Sequence, residues 1–131
     1  MRIINANTLS AKDDLMAMIA RIKSSRTEDE INMWLTLSLG TELFNAWIAV
    51  EEEPVGMIMA EIVNAAGPTT YIAFNWFKPG VVGNEELVGR VEDWAKKMET
   101  NKMLFYTKRS PQTFIKKYGF ELVQSVLKKD I

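Results

Sequence analysis

The stretch that decides the fold lies in the middle of the chain and reads Phe77-Lys78-Pro79-Gly80-Val81-Val82-Gly83-Asn84-Glu85-Glu86-Leu87. A run rich in β-branched and aromatic residues from Thr70 to Phe77 precedes it and predicts a strand. The apolar spacing after it predicts a helix from Glu85 to Glu99. In a glycine-containing turn between a strand and a helix, backbone N–H groups point outward, and the helix dipole favours negative charge. If the protein binds a small anionic ligand, we expect the site in this turn.

The composition is that of one ordinary globular domain spanning residues 1–131. Of its 131 residues, 47% are hydrophobic and 25% are charged. The chain has no cysteine and no histidine, so it lacks thiolate nucleophiles and the commonest metal ligands, and we expect no metal site. No apolar run approaches the roughly 18 residues of a membrane span, and the first residues lack the apolar segment of a signal peptide. We therefore expect a cytoplasmic protein without a membrane partner.

The charge is unevenly distributed along the chain. Residues 1–77 carry five basic and ten acidic groups, a net charge of −5, whereas residues 78–131 carry eleven basic and seven acidic groups, a net charge of +4. The basic half begins at the predicted anion site, which fits a phosphate-bearing ligand or an acidic partner, although solvated helix faces are the plainer explanation. The basic residues occur as scattered pairs without interleaved exposed aromatics, so we expect no nucleic-acid partner.

Apolar periodicity and turn signals predict the order strand, helix, helix, three strands, helix, strand, helix, strand. Ser10 with Asp13 and Thr27 with Glu30 form capping patterns that open the first two helices. The three glutamates at 51–53 are predicted to be a solvated hairpin turn rather than an acidic catalytic cluster. The predicted strands are Arg2–Asn5, Ala46–Val50, Val55–Val63, Thr70–Phe77, Lys102–Thr107 and Glu121–Leu127.

Two later segments make a family resemblance specific. They are Glu92-Asp93-Trp94-Ala95-Lys96 and Lys116-Lys117-Tyr118-Gly119-Phe120-Glu121. With the order of the elements, they resemble the GNAT superfamily of acyl-CoA N-acyltransferases over about residues 1–127. The resemblance implies an α/β (α+β) fold with a mixed central sheet of about six to seven strands and helices on both faces. It also implies transfer of an acetyl group from acetyl-CoA, or of another acyl group from its acyl-CoA, to an amine of a small molecule or a protein.

The resemblance also implies where the substrate binds. The pantetheine arm is expected between the ends of strands Thr70–Phe77 and Lys102–Thr107, with the pyrophosphate on backbone amides of the turn. The residues expected to bind the acyl-CoA are Phe74, Asn75, Trp76, Lys78, Val81, Val82, Gly83 and Asn84. Tyr106 and Tyr118 are candidates for the phenol that protonates the leaving thiolate, although core-edge positions are the simpler interpretation. Glu61 is the nearest candidate for a base.

The turn departs from the family pattern, which reads Gln/Arg-x-x-Gly-x-Gly/Ala. Counting back from Trp94, the three positions are occupied by Pro79, Val82 and Asn84. None of these residues matches, and the glycines that are present stand one or two places away. We expect the valine side chain to hinder the close approach of a phosphate that glycine allows.

The start of the helix gives a second reason to expect weak anion binding. Asn84 is predicted to be the N-cap, because asparagine is among the preferred residues there and satisfies one of the free amides. Glu85 and Glu86 would then lie in the first turn, where they suit the dipole and compete with a pyrophosphate. This pattern predicts a helix that needs no ligand as readily as it predicts a functional site.

Two classes of function follow from these observations. The first is a small N-acetyltransferase. The second is a catalytically inactive GNAT-fold binding or structural module, such as a phage-type or assembly component, that has lost acyl-CoA binding. An exposed end strand at Glu121–Leu127 would offer an edge for a homodimer or an assembly partner.

Overall fold

A computed structural model describes residues 1–22, 24 and 26–105 of the chain. The strands are β1 (Arg2–Asn5), β2 (Phe44–Val50), β3 (Pro54–Asn64), β4 (Pro68–Phe77) and β5 (Met103–Phe105), and the helices are α1 (Lys12–Ile19), α2 (Glu28–Ser38) and α3 (Asn84–Lys97), with a short 3₁₀ helix at Leu9–Ala11 before α1. As far as residue 105, this is the predicted order of elements. The predicted last helix and last strand lie outside the described residues.

The described strands form one mixed sheet in the order β1-β2-β3-β4-β5. The first four strands are antiparallel neighbours, and β5 pairs with β4 in parallel. The prediction of six to seven strands is wrong for this part of the chain, where only five apolar runs are available to pair. The predicted strand Glu121–Leu127 lies outside the described residues.

Helices cover both faces of the sheet, as predicted. Side chains alternate between the faces along a strand, and in β2 the residues Ala46 and Ile48 pack with α1 and α2, whereas Trp47 and Ala49 pack with α3. We call these the α1/α2 face and the α3 face. Each face carries its own cluster of buried apolar side chains, so the sheet is the middle layer of three.

A β-bulge interrupts β4 at Ala73. Phe74 pairs with Met59 and Ile72 pairs with Ala60, which leaves Ala73 as the extra residue. A bulge shifts the alternation of side chains by one residue. Ile72 therefore packs on the α3 face and Phe74 on the α1/α2 face, although they are two residues apart. After the bulge, the side chains of β4 therefore point to the faces opposite to those that the first part of the strand would predict.

One of the two predicted helix caps is confirmed. The Thr27 side chain accepts a hydrogen bond from the Glu30 N–H at 3.2 Å at the start of α2. The prediction for Ser10 is wrong, because the 3₁₀ helix takes up that residue and its hydroxyl bonds Thr8 Oγ1 at 2.9 Å. Helix α1 consequently begins at Lys12, one residue later than predicted, with Ala11 as its N-cap and no side-chain cap bond.

In the ranges given above, no helix is both long and apolar enough to cross a membrane.

Candidate functional site

The turn between β4 and α3 is closed by its own backbone. The Val81 N–H donates to the Lys78 carbonyl at 3.2 Å, and the Lys78 N–H donates to the Val55 carbonyl at 2.7 Å, which ties the turn to β3. Gly80 has a φ of 82° and Gly83 a φ of 136°, values that favour glycine. A Cβ on Gly83 would also collide with the Met1 side chain. Both glycines are therefore required by the backbone path, even though they are displaced from the family pattern.

The start of α3 differs from the sequence prediction. Gly83, not Asn84, is the N-cap, and within residues 1–22, 24 and 26–105 no side-chain hydrogen bond caps the helix. The Asn84 side chain instead pairs with Asn75 of β4 through two hydrogen bonds of 2.9 and 3.0 Å. A tertiary partner has thus overridden the local preference of asparagine for the cap.

Several backbone donors at this helix start have no acceptor among the residues that the structure describes. The N–H of Glu86 donates to the Gly83 carbonyl at 3.1 Å, whereas in the described part of the chain no acceptor is bonded to the N–H groups of Val82, Gly83 and Glu85. Since backbone donors in proteins are nearly always paired, these groups require water or a ligand. Together with the helix dipole, they form a site suited to an anion.

The glutamates of the β2–β3 hairpin lie on one side of the turn. The hairpin tip at 51–53 lies beside the turn, and an open groove of about 440 Å³ between them is lined by Glu51, Glu52, Glu53, Val55, Lys78 and Val81. The Lys78 ammonium lies 3.6 Å from Glu53 Oε1, and both side chains are exposed, by 48% and 72%. Such an exposed pair contributes about 0–1 kcal/mol, so Lys78 is free to exchange Glu53 for another anion.

The side chains expected to line the acyl-CoA site occupy different environments. Val82 is 82% exposed, so its side chain stands in solvent. Phe74 is buried on the α1/α2 face against Trp34, with ring centroids 5.6 Å apart, and is a core residue. Trp76 is half-buried on the same face, with the Arg21 guanidinium 5.9 Å from its ring centroid. Asn75 is re-aimed by the bulge towards α3.

The parallel pairing of β4 with β5 is observed from Thr70–Met103 to Ile72–Phe105. The last described pair therefore lies immediately before the bulge at Ala73. The bulge, the C-terminal part of β4 and the turn therefore follow one another and lead to the candidate anion site at the start of α3.

Neither the family models nor the curated proteins give a sequence match to this chain. Comparison of the structure with solved structures does find similar folds. One is a protein of Clostridium acetobutylicum described as a predicted acetyltransferase and solved with acetyl-CoA (TM-score 0.81, 19% identity, 98% of this chain and 95% of that one). A second is an aminoglycoside 6′-N-acetyltransferase of Acinetobacter baumannii (TM-score 0.76, 19% identity, 99% and 98%). A third is the aminoglycoside acetyltransferase AAC(6′)-Iy with the bisubstrate analogue CoA-S-monomethyl-acetylneamine (TM-score 0.76, 16% identity, 99% and 97%).

The chain has the GNAT fold. The likeness extends over nearly the whole length of both chains in each comparison. At identities of 16–19%, TM-scores of 0.76–0.81 show the fold alone.

Within this GNAT fold, Glu61 is remote from the turn. It pairs with Tyr71, whereas the strand end at Phe77 pairs with Gly56, five residues earlier on β3. At about 3.3 Å per residue, Glu61 lies roughly 16 Å along the strand from the turn, but only about 7 Å from the level of the bulge. The structure does not bring Glu61 to the turn, and its role as a base stays a prediction. Tyr106 and Tyr118 lie outside the described residues.

Among the described residues, no group of three or more acidic side chains is placed to hold a metal ion. The hairpin-tip glutamates are exposed, as predicted for a solvated turn. A second groove of about 360 Å³ lies between α1 and α2 and contains no residue of β4 or of the turn.

Sequence reasoning missed the hydrogen-bonded pair of Asn75 on β4 with Asn84 on α3. Asparagine is disfavoured in strands, so Asn75 between Phe74 and Trp76 was a signal that a specific polar partner was needed. The identity of that partner depends on how α3 packs, which a single sequence does not show.

Proposed function

We propose that this protein is an N-acyltransferase that takes an acetyl group from acetyl-CoA, or an acyl group from another acyl-CoA, and transfers it to an amine. The observation that carries the proposal is the start of α3 after the β4–α3 turn, where the N–H groups of Val82, Gly83 and Glu85 have no acceptor in the described part of the chain. The GNAT resemblance assigns this position to the pyrophosphate. Similar structures solved with acetyl-CoA or a CoA-based analogue give further support.

In this proposal, the turn binds the pyrophosphate chiefly through its backbone. The helix dipole is equivalent to roughly half a positive charge at the N-terminus. Val81 N–H is already bonded to Lys78, so Val82 and Gly83 are better placed as donors than the predicted Val81. Lys78 adds a positive charge beside the turn, where its ammonium forms an ion pair with Glu53. Glu85 and Glu86 are exposed in the first turn. Their negative charges weaken the attraction of the helix start for the pyrophosphate, but their side chains do not occupy its proposed position.

The transfer itself needs mainly a neutral amine held against the thioester. The amine nitrogen attacks the carbonyl carbon, a C–N bond forms and the C–S bond breaks. The CoA thiolate leaves, and the proton of the amine passes to the thiolate or to solvent. Glu61 as a base acting through water, and Tyr106 or Tyr118 as the acid, remain predictions within this scheme.

The acceptor is proposed to be an amine of a small molecule. Two of the similar structures are aminoglycoside acetyltransferases, which supports a small acceptor over a protein. A cytoplasmic location and a homodimer or assembly contact through Glu121–Leu127 remain parts of the proposal that rest on the sequence alone.

Calorimetric titration with acetyl-CoA tests this proposal. We expect saturable binding of one acetyl-CoA per chain, and at 100 times the dissociation constant a gain in the free energy of unfolding of about 2.7 kcal/mol. S-acetylpantetheine, which has the thioester but no pyrophosphate, is the matched control and should bind more weakly. If millimolar acetyl-CoA produces neither heat nor stabilisation, the acyltransferase is excluded and the inactive binding or structural module is favoured.

A further inference from the structure

Strand β1 is at one edge of the described sheet and pairs with β2 alone. The Ala6 N–H, just after the strand, donates to the Ala46 carbonyl at 2.8 Å, which makes these two residues a hydrogen-bonded pair. Such pairs recur at every second residue of an antiparallel ladder, and the register of β1 on β2 has no irregularity. The backbone of Ile4 therefore faces β2, whereas the N–H and C=O groups of Ile3 and Asn5 point away from the sheet.

These outward backbone groups form an open edge. In residues 1–22, 24 and 26–105, no hydrogen bond is made by the main-chain N–H or C=O of Ile3 or Asn5. Proteins commonly protect such edges with lysine, proline or a bulge. Strand β1 reads RIIN, without proline or lysine, and it pairs with β2 without a bulge. Its edge is therefore available to a further strand.

An exposed apolar side chain lies at the middle of this edge. Ile4 is 39% exposed, although its neighbour Ile48 on β2 is buried on the α1/α2 face. Leu9, shortly after β1, and Leu43, directly before β2, are also exposed, near the same end of the two strands. A strand added beside β1 would cover Ile4 and lie next to this apolar surface.

The edge of β1 is complementary to itself. When two copies run antiparallel with their Ile4 residues opposite each other, Ile3 of each copy faces Asn5 of the other. Both of these pairs join outward backbone groups, so they form four hydrogen bonds. Arg2, the charged residue of the strand, faces Ala6 of the other copy, and no like charges are opposed. A shift by one residue would place outward groups against inward ones, and a shift by two would leave an outward residue of β1 without a partner in the other strand.

We propose that two copies of this chain associate through β1, in an antiparallel pair with Ile4 at the two-fold axis. A second copy is the partner because the edge matches itself in hydrogen bonding, apolar contact and charge, as a two-fold interface requires. A strand of four residues gives a small contact, so the dimer forms reversibly and depends on concentration. The inference is independent of the proposed function, and it concerns a different edge from the predicted strand Glu121–Leu127.

Sedimentation equilibrium over a range of protein concentrations tests the hydrogen bonds of this pair. The mean mass of the wild type should rise from one chain towards two. Asn5→Pro removes an outward N–H from each copy, and thus two of the four bonds, while the bonds from β1 to β2 use other residues. Association should weaken at least about tenfold. Asn5→Ala is the matched control, because it loses the same side-chain bonds to Asn45 and Asn7 but keeps the N–H, and it should associate as the wild type does.

Substitution of Ile4 tests the contact at the axis. Ile4→Lys places two like charges opposite each other and should leave a single chain at every concentration, whereas Ile4→Val should still associate. Thermal unfolding at the lowest concentration checks that each variant is folded as a single chain. If Asn5→Pro does not fold, Ile4→Lys still decides the result, because the partly exposed position 4 admits a lysine.

Cysteine cross-linking tests the register, since the chain has no cysteine of its own. In Ile4→Cys, the two Cα atoms would be about 4.5 Å apart, within the range of about 4.4–6.8 Å that a disulfide spans. Oxidation by diamide should therefore yield a linked dimer. Arg2→Cys is the control on the same strand and face. Its two copies would be four residues apart along the pair, about 13 Å, and should remain unlinked.

The outcomes decide the inference without reference to acetyl-CoA. A wild type that stays a single chain at all concentrations, or a dimer that persists in Ile4→Lys, would overturn it. Equal linkage of Ile4→Cys and Arg2→Cys would overturn the register on which it rests. Absence of acetyl-CoA binding would exclude the acyltransferase and leave the β1 pair standing.

Discussion

The two halves of β4 differ in what their side chains do. Before the bulge, Thr69, Thr70 and Ile72 are fully buried, and Thr70 Oγ1 lies 2.7 Å from Thr100 Oγ1 in a buried hydrogen bond. After the bulge, Asn75 and Trp76 are only half-buried and face opposite layers. The first half is fixed by packing, whereas the second half, after the buried Phe74, leads into a turn whose N–H groups at Val82, Gly83 and Glu85 have no acceptor among the described residues.

This difference shows how one strand serves both the core and the site. A single extra residue at Ala73 separates the halves and exchanges the faces that their side chains point to. Because bulges re-aim side chains without ending a strand, the second half can present Asn75 to α3 while the first half stays paired on both sides. Substitutions of the buried residues, including Phe74, should therefore change stability, and those from Asn75 to the turn should change ligand affinity.

The largest effect is expected for Ile72→Ala, before the bulge. Ile72 is fully buried on the α3 face, and the resulting cavity should lower the free energy of unfolding by about 2–5 kcal/mol. Denaturant unfolding measures the change. Ile4→Ala, the same chemical change at a residue that is 39% exposed, should cost much less. Similar losses for the two variants would contradict the assignment of Ile72 to the core.

Gly83→Ala should have the next largest effect, because it disturbs the turn itself. A φ of 136° is one that residues with a Cβ rarely adopt, and the end of the Met1 side chain would have to move away from the new Cβ. The free energy of unfolding should therefore fall by about 1–3 kcal/mol, and acetyl-CoA should bind more weakly. Gly89→Ala is the control in the same helix, where open space surrounds the position. That variant should stabilise the protein by about 0.5–1 kcal/mol. A Gly83→Ala variant as stable as the wild type, or more stable, would show that the turn tolerates a side chain at this position.

Neutralising the first turn of α3 should strengthen anion binding. In the double variant Glu85→Gln with Glu86→Gln, the repulsion of two exposed carboxylates is removed, each worth about 0.3–1 kcal/mol, and the dissociation constant of acetyl-CoA should fall a few-fold. Glu92→Gln with Glu99→Gln removes the same charge far from the turn and should have little effect. Unchanged affinity in the first pair would mean that the phosphates do not lie over the start of α3.

The smallest effect is expected at the hairpin tip. Glu53→Gln frees Lys78 from its ion pair and should tighten acetyl-CoA binding by up to about fivefold, since the exposed pair is worth at most about 1 kcal/mol. Glu52→Gln removes the same charge from the same groove without touching a pair and should change affinity less. If the two variants behave alike, the groove acts through its overall charge and the pairing of Lys78 is irrelevant.

The layers of the fold could be predicted from the sequence, and the details of the site could not. Period-3.6 and period-2 patterns located each element up to residue 105, and the cap at Thr27 followed from local chemistry alone. The bulge at Ala73 has no residue signature in one sequence, because it depends on the register with β3. The distance of Glu61 from the turn depends on the same register.

The position of Asn84 shows most clearly where local reasoning ends. Its residue type favours the N-cap, yet its side chain bonds Asn75, nine positions earlier. A partner on another element can outweigh a local preference worth about 0.5–2 kcal/mol, and only the packing of α3 on β4 reveals that partner. The sequence therefore located the turn correctly and predicted a capped helix where the structure has an uncapped one.

Residue-resolved NMR titration with acetyl-CoA tests the central claim most directly, since it reports on the backbone N–H groups to which the pyrophosphate is assigned. We predict saturable shifts of the amide signals of Val82, Gly83 and Glu85, which S-acetylpantetheine does not reproduce. Amide signals that stay unchanged at these three residues during saturation with acetyl-CoA would contradict the account.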